Sequence, residues 1–473
     1  MTRYVRAMFT AAALGTIALG APPALIAQRP APRLADKTHP FGTLREQAAR
    51  QQRWLETRMK TVLPALMRAN GIDMWIVPMR EYAEDPVFSS FVSPTTFSAR
   101  RRTIYVVFDR CAASGRTDSG DGACLERIAL GGSSQGGVWE AKRSTLAVAA
   151  PVGGRNAELW GDEQWKLLRQ VVEERNPKVI GINTSRTFAF TDGLTHGEYV
   201  GMTEALGDRW VARLKPAEEL PLQFIASRVA DEDAFYGQVQ QLVWELIGEM
   251  YSGKVITPGK TTAADLVWWW RQRVNDLGLG TWFQPSIEVQ RAGAGELGED
   301  AVIQRGDVLH CDVGITALDL NTDTQHMAYV LKAGETDAPA GLKRALANAN
   351  ALQDIVVKAI RPGRTGNEIL AASRSAMTSA GIDGTVYSHP IGKHGHGAGP
   401  LIGLWDYQDG VPGRGDARVI PNMWFSIELQ ATTPVAEWKN QPVRMALEED
   451  IMVGTDGTPR WAKGQQKKLW LVK

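Results

Sequence analysis

Residues 306–331 read GDVLHCDVGITALDLNTDTQHMAYVL, and the acids set into this apolar run decide the fold. Val308 to Thr316 and Thr324 to Leu331 read as two β-rich runs, with Leu318, Asp319, Leu320 and Asn321 as the turn between them. Neighbours in one strand face opposite ways, but a hairpin register can bring Asp312 and Asp323 onto one face. Like charges so placed are destabilising unless a cation bridges them. Working outward, residues 388–406 read SHPIGKHGHGAGPLIGLWD, residues 425–430 FSIELQ and residues 443–453 VRMALEEDIMV. Any one acid here is an ordinary turn or edge-strand residue. Several acids in apolar runs, arriving with histidines, are costly to bury without a counter-charge. An oxygen-rich set with one nitrogen favours Mn, Co, Fe or Zn over a thiolate site. Carboxylate clustering of this kind serves a pair of divalent ions roughly 3.5–4 Å apart.

Lys393-His394-Gly395-His396 offers two imidazoles for the nitrogen ligand, with His389 nearby. The glycines around them let backbone approach a metal or substrate closely. A histidine that is not a ligand can donate to a substrate carbonyl or to the tetrahedral intermediate. His310 shares a strand face with Asp312 by alternation, either orienting a ligand or packing in the core. Cys311 turns to the opposite face and reads as a buried filler.

The order Asp, Asp, His, Glu, Glu resembles the metallopeptidases of the pita-bread fold: methionine aminopeptidase, Xaa-Pro aminopeptidase and prolidase. Asp312-Val313-Gly314 is similar to the first aspartate's setting, and Thr322-Asp323-Thr324 to the second's. Gly395-His396-Gly397-Ala398-Gly399 resembles the family's histidine motif. Ser426-Ile427-Glu428 resembles that of the fourth ligand, and Glu449-Asp450 that of the bridging fifth. The resemblance thus implies a metal set of Asp312, Asp323, His396, Glu428 and Glu449, holding two divalent ions, manganese first. It implies metal-assisted amide hydrolysis, with Glu428 shuttling a proton to the leaving amine. His394, His389 and Arg444 are the expected positioning residues. Two family features are absent on this alignment. A second histidine usually follows the ligand histidine by about seven residues, and that count from His396 reaches Gly403. A histidine on the loop before the first aspartate is missing from residues 282–304.

The rest of the chain sets the frame. Its 473 residues suit two domains, and a net charge of +1 without a basic block argues against nucleic acid as a partner. Residues 1–27 read as a signal peptide: Arg3 and Arg6, then an apolar stretch too short for a span, then Leu25-Ile26-Ala27. This places the mature protein in the periplasm or outside the cell, with no membrane span. Residues 28–38 read as a flexible leader. Residues 39–220 alternate helices and strands, an α/β domain resembling the creatinase-type amino-terminal domain. A single helix is expected over Leu44 to Asn70, and strands at Met74–Met79, Thr103–Phe108, Arg127–Leu130, Thr145–Ala149 and Val179–Asn183. Cys111 and Cys124 bracket a loop that an oxidising compartment would close by a disulfide. Leu214 to Arg228 reads as a link into residues 221–473, the α+β pita-bread domain.

Within that domain Ile256-Thr257-Pro258-Gly259-Lys260-Thr261 and Ile360-Arg361-Pro362-Gly363-Arg364-Thr365 share one pattern, each leading into a capped helix. Two related halves would place the metals at a pseudo-two-fold centre. Trp268, Trp269 and Trp270 read as core and interface packing. The expected substrate is a short peptide cut from its amino end, as by an Xaa-Pro aminopeptidase or dipeptidase, and the resemblance implies a homodimer. Two other classes remain: a metal hydrolase of a non-peptide amide, and a non-catalytic pita-bread binding protein.

Overall fold

The computed structural model of the chain describes residues 39–114, 122–144, 159 and 161–473. The signal peptide, the leader and the strand expected at residues 145–149 lie outside the described residues.

The amino-terminal domain is built on one mixed sheet of six strands: β1 (Met74–Arg80), β2 (Arg102–Asp109), β3 (Leu125–Leu130), β4 (Glu140–Lys142), β5 (Ile180–Ile182) and β6 (Leu214–Pro216). Their order is β4-β3-β2-β1-β5-β6, with β1–β2 and β2–β3 antiparallel and the outer pairs parallel. β1 and β2 are apolar on both faces, as strands covered on both sides must be. Trp75, Val77, Tyr105 and Val107 face one core; Met74, Ile76, Ile104 and Val106 face the other.

The first helix departs from the expected single rod. It runs Leu44–Thr57, passes through a π-helical turn at Arg58–Val62 and resumes at Leu63–Ala69. Pro64 explains the break: it has no N–H to donate and its ring crowds the preceding turn. The expected link at residues 214–228 is also ordered. Leu214–Pro216 completes the sheet, and the helix Glu219–Ala226 packs Phe224 against Trp75 and Phe91. Cys111 and Cys124 form a disulfide, and Cys311 is buried and free.

The carboxyl-terminal domain repeats one plan twice. A long helix, Ala230–Met250, leads through a tight turn to Ala263–Asp276; then Ala340–Ala359 leads to Gly366–Ser379. The two turns share one backbone bond. Gly259 N–H donates to Ile303 O, and Gly363 N–H donates to Val419 O, both at 2.8 Å. Both glycines sit at positive φ, +84° and +88°, where a side chain would be strained. Thr262 with Asp265, and Thr365 with Glu368, close reciprocal capping boxes.

Behind the first pair of helices stand β7 (Ser286–Arg291), β8 (Gly295–Leu297), β9 (Val308–Val313) and, after the small hairpin β10 (Thr316–Ala317) and β11 (Leu320–Asn321), β12 (Thr324–Val330). The hairpin turns at Leu318 and Asp319, both at positive φ, so Leu320 and Asn321 are strand rather than turn. Behind the second pair stand β13 (Asp383–Val386), β14 (His389–Ile391), β15 (Trp424–Ser426), β16 (Leu429–Val435), β17 (Gln441–Leu447), β18 (Asp450–Val453), β19 (Pro459–Trp461) and β20 (Trp470–Val472). The last strand crosses back to pair with β12, tying the halves together. Trp270 is buried, whereas Trp268 lies on the surface with Arg271 over its ring. Among the described residues no helix is long and apolar enough to cross a membrane.

The matched caps give a stability test. Thr262→Ala and Thr365→Ala are each expected to lower the unfolding free energy by ~1 kcal/mol in urea titrations. Equal losses are expected because the two helix starts are equivalent.

Candidate metal centre

Strand register decides which side chains meet. β9 pairs antiparallel with both β7 and β12, so Ser286, Asp312 and Gln325 lie in one row and Glu288, His310 and Met327 in the next. Asp323 comes two residues before Gln325, on the same face as Asp312. From the other half, β14 pairs with β15 and sets His389 opposite Ser426. Glu428 follows β15 and Glu448 follows β17. These two halves deliver Asp312, Asp323, His389, Glu428 and Glu448 to one place.

His389 is the hub. Its Nε2 lies 3.3 Å from Glu448 Oε1, 3.7 Å from Asp323 Oδ2 and 3.8 Å from Glu428 Oε2. Its Nδ1 lies 3.0 Å from Pro390 O, a bond that requires the hydrogen on Nδ1 and leaves the Nε2 lone pair facing the acids. Donor atoms of Asp323, His389 and Glu448 all fall within 4.8 Å of one another, and all three residues are buried.

Burial and mutual repulsion dominate the electrostatics. Desolvation, then the charge of Glu448, raises Asp312, Asp323 and Glu428 well above the ordinary carboxylate range. Asp312 Oδ1, Asp323 Oδ1 and His389 Nε2 are buried with no hydrogen-bond partner. Orphaned oxygens and an unprotonated ring nitrogen converging on one point fit divalent cations. Four carboxylates carry −4 when ionised, a charge that two divalent ions offset.

Two expected ligands lie elsewhere. Glu449 is adjacent to Glu448 in extended backbone and so faces away. Its Oε1 lies 2.8 Å from His326 Nε2 and accepts from Gln466 N–H at 2.9 Å, buried behind the centre. His326 is fully buried there, and its Nδ1 accepts from Trp470 Nε1. His396 lies at the rim with its ring partly covered, edge-on to His389 at 4.9 Å and to Trp282 at 5.2 Å. The histidine within the cluster is therefore His389. Seven residues on from His389 is His396, so the second histidine missing from the first alignment is present.

The expected positioning residues also sort differently. His394 packs against Phe190 of the amino-terminal domain at 4.8 Å, and burial lowers it to about 4, so it is neutral. Arg444 is paired with Glu288 and Glu296 and does not touch the cluster. The glycines flanking His396 serve packing: a Cβ on Gly395 would meet the Trp282 ring at 2.3 Å, and one on Gly397 would meet Pro390 O at 2.7 Å. Sequence reasoning passed over Gln325, which reaches into the centre. Its Nε2 donates to Glu428 Oε1 at 2.6 Å and to Glu448 Oε2 at 2.9 Å. Its place opposite Asp312 was the available signal.

The family model for metallopeptidase family M24 matches residues 238–455. The solved X-Pro aminopeptidase from Thermotoga maritima is 16% identical at a TM-score of 0.57, over 86% of this chain and all of its own. Xaa-Pro dipeptidase from Bacillus anthracis is 16% identical at a TM-score of 0.53, over 90% of this chain and 99% of its own. The N-terminal domain of the FACT complex subunit SPT16 from Cicer arietinum is 13% identical at 0.53, over 89% and 99%. At these identities the likeness is one of fold. No curated protein matches the chain.

Two outcomes follow. His389→Ala and Glu448→Ala are expected to weaken Mn2+ binding at least about 100-fold in calorimetry, since even outer partners cost 10–100-fold; His394→Ala is expected to leave it within a few-fold. For the metal-free protein, the folded state keeps protons on Asp312, Asp323 and Glu428 that the unfolded chain releases above about pH 4. Stability therefore falls as pH rises from there through the raised folded values. Thermal scans of metal-free protein should give a lower Tm at pH 8 than at pH 5, a slope that Asp323→Asn reduces.

Proposed function

Because residues 238–455 match the model of metallopeptidase family M24, we propose that the protein is a peptidase of two divalent metal ions, manganese first, that cuts short peptides from the amino end. Xaa-Pro aminopeptidase or dipeptidase action is the specific form proposed. The observation that carries this reading is the convergence of Asp312, Asp323, Glu428 and Glu448 on the free Nε2 of His389. The five residues would hold the ions, which supply carbonyl polarisation and an acidified water when bound.

The chain's own groups do the rest. Glu428 lies at the edge of the cluster, 17% exposed, with one oxygen fixed by Gln325 and the other directed towards His389. A carboxyl at a solvent edge is suited to take a proton and return it to the leaving amine. His396, whose imidazole is lowered by partial burial and then by the neighbouring His389, offers an N–H at the rim for a substrate carbonyl. This is the positioning role first expected of His394 and His389. Export to the periplasm or beyond is part of the proposal, supported by the amino-terminal pattern and the Cys111–Cys124 bond.

One observation favours a second reading, a binding protein without catalysis. The loop before Asp312 carries Trp282, not a histidine, against the centre, where its Nε1 donates to Thr322 O. Mn2+-loaded protein is expected to release the first residue from Xaa-Pro tripeptides but not from amino-acetylated ones. Glu428→Gln is expected to lower kcat at least about 100-fold. A wild-type chain that binds metal yet cleaves no member of a dipeptide and tripeptide panel would establish the second reading.

A further inference from the structure

Gln325 is an amide placed between two acids of a metal centre, and each of its atoms has a defined partner. Nε2 donates to Glu428 Oε1 and Glu448 Oε2. Oε1 lies 3.0 Å from His310 Nε2, which must donate to it. In this orientation the amide turns both N–H donors to the acids and its oxygen to the His310 ring nitrogen. Its backbone is fixed as well: Gln325 N–H donates to Glu448 O and Glu448 N–H to Gln325 O, each at 3.1 Å.

The two acids are divided in the same way. Glu428 gives Oε1 to Gln325 and keeps Oε2 towards His389; Glu448 gives Oε2 to Gln325 and keeps Oε1 towards His389. Behind Gln325 the chain of contacts continues outward. His310, buried, has its Nδ1 3.1 Å from Glu288 Oε2, and Glu288 is bound by Arg444. Arg444 is held in turn by Gln290, whose side chain accepts from its N–H and donates to its C=O, and by Glu296 at 2.8 Å.

We propose that Gln325, oriented by His310 and the Glu288–Arg444 pair, is a positioning residue that separates Glu428 from Glu448 and turns one oxygen of each toward the metal ions. The amide supplies two N–H donors where two carboxylates would otherwise repel each other in a buried site. Each acid keeps its other oxygen on the His389 side, that of Glu448 also accepting from Ser426 Oγ at 2.5 Å, so the metal-facing half of the cluster is arranged before an ion arrives. Arg444 therefore acts on the centre at a distance, through three side chains.

The proposal rests on the five-residue metal reading above, and the test separates the two. Mn2+ affinity is measured by calorimetry on metal-stripped protein, with the Tm of each metal-free variant alongside. Gln325→Met, similar in length but without hydrogen bonds, is expected to weaken Mn2+ binding 10–100-fold. His310→Leu is expected to weaken it about tenfold, and His310→Gln, which keeps a donor near the Nε2 position, to restore most of that loss. A purely structural role would lower the metal-free Tm in both His310 variants without this difference in affinity. Gln325→Met binding Mn2+ within twofold of wild type overturns the proposal, as does His310→Gln binding no better than His310→Leu. The His310 pair carries the test alone if Gln325→Met does not fold. Wild-type protein that binds no divalent ion would overturn the metal reading itself.

Discussion

The repulsion among four carboxylates held around His389 is the constraint on which this molecule depends. Two unit charges roughly 4 Å apart cost about 4 kcal/mol at an effective dielectric of about 20. The protein nevertheless brings together Asp312, Asp323, Glu428 and Glu448. A fold can sustain this only if the surrounding scaffold is rigid and the charge is answered. The first condition is met by two large apolar cores beneath the strands; the second by protons in the metal-free state and, in our reading, by cations in the working one.

Rigidity comes from duplication. Each half contributes a long helix, a Pro-Gly turn, a capped helix and a sheet, and the acids come from strand ends of both halves. The turns are pinned within each half by the bonds Gly259 to Ile303 and Gly363 to Val419, and the halves are joined by the reciprocal backbone bonds of Gln325 and Glu448 and by the β12–β20 pairing. Asp450, next to the cluster, adds a further tie: it accepts from Tyr236 at 2.6 Å, from Gln240 and from the backbone N–H of Asp323. The first long helix, which carries Tyr236 and Gln240, is thereby bonded to the loop that presents the second aspartate.

Much of this was legible in the residues. The acid order, the repeated turn and the two-domain plan follow from local patterns, and Asp312, Asp323 and Glu428 are where those patterns put them. What misled was degeneracy at short range. Glu448 and Glu449 differ by a single step of the backbone, yet one faces the centre and the other faces His326. Nothing local distinguishes them; the register with Gln325 does. Similarly His389, His394 and His396 lie within eight residues of sequence, and a glycine-rich match drew attention to the last. The pairing of His389 with Ser426, a contact between distant strands, is what places the right ring in the cluster. The Gln325–His310–Glu288–Arg444 chain was illegible for the same reason, since its members come from four strands and the link between them is spatial.

Approach to the centre is shaped by the amino-terminal domain as well. Phe190 packs on His394, and Lys393 Nζ reaches both Asp319 and the carbonyl of Ser89. Between the domains lies a cavity of about 370 Å³, lined by Phe88, Ser90 and Phe97 on one side and Asp319 and Lys393 on the other. The loop that holds Lys393 and His394 in these contacts runs directly into His396 at the rim of the metal centre. A shift of one domain against the other would therefore move the rim while leaving Asp312, Asp323, His389, Glu428 and Glu448 in place, because those five are carried by strands of the carboxyl-terminal domain alone. The fold thus separates the groups suited to holding ions from those that border the path a substrate would take.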